Sequence, residues 1–129
     1  MDVMLDIETY GNTPNSAIVQ IGAVIFDRET GEILAQFKEN VDPESSVSFG
    51  MEMNVSTVEW WMNQSKEAIE SITSGERKSL DKALKDFKFF IEGYYKSFIG
   101  QFNKRDVLIW GHASFDEPIM SNAFDKCDI

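Results

Sequence analysis

A lone cysteine, Cys127, rules out any disulfide within the 129 residues and agrees with a reducing compartment. No run of about 18 apolar residues is present, and no basic, then apolar, then small-residue leader opens the chain. Neither a membrane span nor a signal peptide is therefore indicated, and a cytoplasmic location is the expectation. Internal repeats, low-complexity tracts and interdomain linkers are also missing, so residues 1–129 read as a single domain. Basic residues are scarce, 12 against 22 acidic ones, and the net charge of −10 argues against a broad phosphate-binding surface. The positive charge is also unevenly placed. Arg77, Lys78, Lys82, Lys85, Lys88, Lys96, Lys104 and Arg105 face only Asp81, Asp86 and Glu92 within positions 77–105, leaving that stretch +5 and the remainder −15. The lysines can simply solvate a helix face. Alternatively, acids concentrated elsewhere can hold divalent cations and meet phosphates through them.

Hydrophobic residues make up 43% and aromatics 12% of the chain, enough to bury a core. From Asp2 to Ile7 the pattern alternates, with Val3, Leu5 and Ile7 on one side and Met4, Asp6 and Glu8 on the other, which is the period of a strand. Asp6 and Glu8 thus project together from one face, followed by an exit loop at Thr9, Tyr10 and Gly11. The run AIVQIGAVIFD (Ala17 to Asp27) is too continuously apolar for an exposed strand and suits a central one. RETGE, with Gly31 at the left-handed position, and ILAQFKEN (Ile33 to Asn40) complete a hairpin. Three antiparallel strands are predicted.

Pro43 begins a loop. Ser56 and Glu59 then form a capping box, Val55 and Trp60 suit a hydrophobic staple, and Ser65 caps a further short helix through Ile72. Leu80, Leu84, Phe87, Ile91, Tyr94, Phe98 and Phe102 recur at helical spacing and predict a long amphipathic helix. VLIWG (Val107 to Gly111) suits a short buried strand with Trp110 in the core, and Pro118 requires a helix to begin around Ser114 to Asp116.

Two carboxylates on one strand face repel each other, and a hard divalent cation is the natural compensation. A surface ion pair plus a loop cap would also account for a bare D-x-E. Here, however, DIETYGNTP, IVQIGAVIFDRETGEI, STVEWWMNQS and WGHASFD follow one another in order. In that order they resemble the DnaQ-like (DEDD) 3′–5′ exonucleases, particularly the exodeoxyribonuclease VIII-like, phage and mycobacterial branch. The resemblance implies a ribonuclease H-like α/β fold, a mixed sheet of three antiparallel strands and then a parallel one, flanked by helices. It implies Asp6, Glu8 and Asp116 as catalytic ligands of two Mg²⁺ or Mn²⁺ ions, and Thr9 as a contact to the terminal nucleotide. Trp61, His112 and Phe115 are further candidates for contact with a single-stranded 3′ end of DNA or RNA. Of the adjacent pair Trp60 and Trp61, one ring is expected in the core and the other, roughly 100° away, exposed to stack on a base.

The family's third motif, a His or Tyr four or five residues before a fourth Asp, is absent from these residues. His112 lies at the end of the fourth strand, where a substrate contact or structural hydrogen bond suits it better than general-base work. Asp125 and Asp128 suit a solvated helix end. The long helix and VLIWG would then be partly uncovered, which favours an N-terminal fragment of a longer catalytic domain over a naturally shortened relative without full activity; a homodimer in which a second copy covers that surface is the alternative. Two other functions fit the same residues: a non-cutting module that binds nucleic acid or protein, and a metal-dependent phosphohydrolase acting on free nucleotides.

Overall fold

The computed structural model describes residues 1–103, 106–112 and 115–129. Lys104 and Arg105 of the basic stretch, and Ser114 at the predicted helix start, lie outside the described residues. Three strands, β1 (Asp2–Thr9), β2 (Ile18–Phe26) and β3 (Ile33–Asn40), form an antiparallel meander. A two-residue strand, β4 (Ile109–Trp110), adds in parallel beside β1, giving the order β3-β2-β1-β4. Gly31 sits in the β2–β3 turn at φ 75°, the left-handed conformation the hairpin requires.

Alternation in β1 divides its residues between two environments. Val3, Leu5 and Ile7 are buried against one helical layer, whereas Met4 and Asp6 are exposed on the opposite face. The layer consists of α4 (Leu80–Ile99) and α5 (Asp116–Lys126), whose Leu84, Phe87, Ile91, Ile119 and Ala123 join Ile21 and Ile25 of β2 in the main core. Burying such side chains contributes roughly 1.5–3 kcal/mol each before the entropy of ordering them is counted. Among the described residues no helix is long and apolar enough to cross a membrane.

Several boundaries differ from the sequence reading for local reasons. Asn54, not Ser56, caps α2 (Val55–Met62), accepting the Thr57 N–H at 3.1 Å, while its own N–H donates to Tyr10 O. With the cap two residues earlier, Val55 and Trp60 are 74% and 56% exposed and no staple forms. Pro43 opens a one-and-a-half-turn helix, α1 (Pro43–Ser48), because Asp42 caps it and proline at the first helical position sacrifices no hydrogen bond. The Ser65 cap holds, with Ser65 Oγ accepting the Ala68 N–H ahead of α3 (Lys66–Thr73). On α4 the buried stripe ends on Tyr95 instead of Tyr94, Phe98 is exposed, and Phe102 lies beyond the helix. A period of 3.6 drifts off a strict three-and-four pattern within four turns.

The largest difference concerns VLIWG. Its apolar run predicts a buried strand, but among the described residues only Ile109 and Trp110 pair, and Leu108, Ile109 and Trp110 are 47%, 42% and 50% exposed. β4 lies at the edge of the sheet, so one side of it has no neighbour among the described residues.

Candidate active site

β1 carries Asp6 and Glu8 on the face away from the helical core. A register shift between Glu8 and Thr9 then ends the regular ladder: Glu8 opposes Gln20 but Thr9 opposes Ile18, leaving Val19 as the extra residue. Bulges of this kind re-aim the side chains beside them. Val19 turns into a small second cluster with Trp61 and Ile72.

Asp116 is the first residue of α5 and is 3% exposed. Its Oδ2 accepts the His112 N–H at 2.8 Å, and its Oδ1 accepts the Ile7 N–H at 3.4 Å. The Phe115 N–H closes the turn onto His112 O at 2.7 Å. The acid is thereby held against the middle of β1 by two backbone donors, one from each side of the parallel pair. Gly111 makes this approach possible, since a Cβ there would stand 3.2 Å from Asp116 Cβ and 3.3 Å from its Oδ2. Gly22 plays a similar part opposite Asp6, where a Cβ would meet Asp6 O at 3.0 Å. The sequence reading passed over both glycines, although a glycine inside or just after a strand pattern signals close backbone approach.

The three carboxylates share an electrostatic environment. Burial, and then the charge of Asp116, raise the pKa of Asp6 above the ordinary carboxylate range. Glu8 is raised by burial first and then by Asp6 and Asp116. Among the described residues no Lys, Arg or His forms an ion pair with any of the three. Hard oxygen donors, mutual repulsion and the lack of a protein counter-cation suit a divalent ion. The closed three-carboxylate cage expected from sequence is nevertheless not formed: no three His, Cys, Asp or Glu side chains among the described residues are arranged to hold an ion. Both Asp116 oxygens are instead engaged by backbone N–H groups.

The predicted substrate contacts separate into two groups. Thr9 is 4% exposed, and its hydroxyl donates to Gly11 O at 2.9 Å, within its own loop. Trp61 is the buried tryptophan, with its Nε1–H donated to Thr9 O at 3.0 Å. These two side chains build the loop after β1 and do not face solvent. The exposed ring is Trp60, set edge-on to Trp61 with centroids 5.1 Å apart, because the neighbouring position on α2 points about 100° away. His112 is exposed, and Phe115 is half-buried against the main core.

Known proteins resemble this chain in sequence or in fold. The chain is 29% identical over 101 residues to an exodeoxyribonuclease of Enterobacteria phage T4, covering 72% of this chain and 44% of the phage protein. Two solved structures have the same fold. Exonuclease I of E. coli, in complex with a dT13 oligonucleotide, matches with a TM-score of 0.58 at 18% identity, over 96% of this chain and 23% of that one. The nuclease domain of 3′hExo, a DEDDh family member bound to rAMP, matches with a TM-score of 0.57 at 16% identity, over 98% of this chain and 57% of that one. The chain thus spans less than half the length of the phage relative. The model of the Rv2179c-like 3′-5′ exoribonuclease domain matches residues 1–129, and the chain belongs to this family of DnaQ-like exonuclease domains.

Proposed function

We propose that residues 1–129 are part of one exonuclease domain, and that this domain hydrolyses the terminal phosphodiester at the 3′ end of single-stranded DNA or RNA, releasing nucleoside monophosphates. The observation that supports this reading is that Asp6, Glu8 and Asp116 influence one another electrostatically with no ion-pair partner among the described residues, in a chain of an exonuclease family. These residues would hold two Mg²⁺ or Mn²⁺ ions. When bound, such ions supply a sharpened water nucleophile and neutralise charge developing on the phosphate.

The chain's own groups prepare the site in distinct ways. Asp6, exposed at the middle of β1, offers its carboxylate to the open face. Glu8 lies half-buried beside the bulge, and Asp116 is held in one orientation by the Ile7 and His112 N–H groups. Thr9 and Trp61 keep the exit loop rigid through the Trp61 N–H and the Thr9 hydroxyl. The exposed Trp60 ring is our candidate for stacking on an unpaired base. Trp60→Ala is accordingly expected to raise KM for a single-stranded oligonucleotide about 5- to 150-fold with little change in kcat, from the roughly 1–3 kcal/mol of one base stack. Steady-state kinetics on oligonucleotides of fixed length measure this.

The function is tested with a 5′-labelled single-stranded oligonucleotide, as DNA and as RNA. With Mn²⁺ present, a ladder shortening one nucleotide at a time from the 3′ end is expected, and EDTA should stop it. A second reading, a binding module that does not cut, is favoured by the absence of a closed three-carboxylate cage among the described residues. Binding of the oligonucleotide with no shortening in Mn²⁺ would establish that reading and overturn the first.

A further inference from the structure

Asp2 is fully buried although it lies at the start of β1, and its carboxylate is saturated by donors from two other parts of the fold. Arg28, in the turn after β2, donates Nη2–H to Oδ1 at 2.7 Å and Nε–H to Oδ2 at 2.8 Å. Trp110 of β4 donates its Nε1–H to Oδ2, also at 2.8 Å. Arg28, then Trp110, hold the Asp2 carboxyl down at about 2 against the opposing effect of burial. One buried anion thus joins β1, the β2–β3 hairpin and β4.

The join to β4 matters because little else fixes that strand. Among the described residues two pairs, Val3 with Ile109 and Met4 with Trp110, align it with β1, supported by the Val3 N–H to Leu108 O bond at 2.9 Å. Its residues are exposed, so core packing contributes little to its position. Two residues beyond Trp110, His112 gives its N–H to Asp116, while the other Asp116 oxygen takes an N–H from β1 itself. A slide of β4 along β1 would therefore move one of the two donors that orient Asp116 relative to the other.

We propose that Asp2 is a positioning residue for the acid cluster: through Trp110 it fixes β4 against β1 and so sets the His112 N–H on Asp116. The effect on hydrolysis rests on the exonuclease reading above, whereas the effect on Asp116 does not. A charge-assisted hydrogen bond is among the stronger single contacts available to a short exposed strand.

The test separates the two partners of Asp2. Trp110→Phe removes the donor to Asp2 and keeps an aromatic ring, whereas Arg28→Lys keeps the tie to β4. In Trp110→Phe, amide hydrogen exchange at His112 is expected to quicken on the order of tenfold. The amides of Ile21 and Ala23 in the central pairing should keep their protection. On an oligonucleotide substrate kcat should fall about tenfold with KM unchanged, and Arg28→Lys should reproduce neither effect. If Trp110→Phe does not fold, Trp110→Leu lacks the same donor and is read in the same way. Unchanged exchange at His112 in a folded variant overturns the proposal, as does a loss of protection that is equal at His112, Ile21 and Ala23. A parent protein that shows no hydrolysis while His112 responds as expected would overturn the exonuclease reading and leave the positioning role standing.

Discussion

Asp6→Asn is expected to lower hydrolysis on the order of a thousandfold or more while making the protein more heat-stable at pH 7. The loss of activity follows from removing a carboxylate from a cation site, a larger change than the roughly 10- to 100-fold effect of disturbing the groups that merely support such ligands. The gain in stability follows from the direction of the Asp6 pKa, which burial and then the charge of Asp116 raise in the folded state. A raised carboxyl pKa means that ionisation is less favourable in the folded chain than in the unfolded one. The resulting penalty is present above the folded pKa and vanishes as the pH falls below the ordinary value of 3.8, where both states are protonated. Asparagine relieves it without changing the shape of the side chain. The melting temperature, measured without metal, should rise at pH 7, and the difference should close near pH 3.

Asp116→Asn should lose activity as well, but with the opposite effect on stability. Both Asp116 oxygens accept backbone N–H groups, from Ile7 and His112, and an amide has only one oxygen to offer. Its NH₂ would face one of those donors inside a buried site, which costs about 1–3 kcal/mol. Thermal melts of the two variants side by side check the contrast. Full hydrolysis by both would remove the acid cluster from the reaction.

Gly11→Ala is expected to destabilise the fold by about 2–4 kcal/mol, lowering the melting temperature on the order of 10 °C. A Cβ at Gly11 would stand 2.8 Å from Ser16 Cβ and 3.2 Å from Ser16 Cα, and closer still to its hydroxyl. Ser16 cannot give way cheaply. It is fully buried, and its hydroxyl both donates to Thr13 O and accepts the Thr13 N–H. The backbone around it is anchored by the Ala17 N–H to Glu52 O and the Tyr10 N–H to Ala17 O, at 2.8 and 2.9 Å. Denaturant or thermal unfolding measures the effect. Because the same loop carries Thr9 beside Glu8, any folded Gly11→Ala protein should also hydrolyse more slowly. A melting temperature within 2 °C of the parent would mean that the loop is softer than its hydrogen bonds imply.

What could be read from the sequence alone was set by periodicity and by motif order. The alternation of β1 placed Asp6 and Glu8 on one face, the continuous apolar run identified β2 as central, and Gly31 marked the hairpin, because each is fixed by local backbone geometry. The order of DIET, QIGAV and WGHASFD supported the family and, with it, the mixed sheet. Interactions across the chain were beyond such signals. Periodicity could not tell Trp60 from Trp61, since adjacent helical positions differ only in which way the finished helix is turned. Nor could it show β4 as an exposed edge, because VLIWG is equally apolar whether or not a neighbour covers it. Asp2, 26 residues from Arg28 and 108 from Trp110 along the chain, gave no local hint of the anion that joins them. Asp116 likewise owes its orientation to Ile7, 109 positions away, and to the absence of a side chain at Gly111. The sequence determined which residue types stand on which strand face; the folded chain alone decided which oxygens are already committed to backbone donors, because hydrogen bonds between distant segments exist only once the sheet has aligned them.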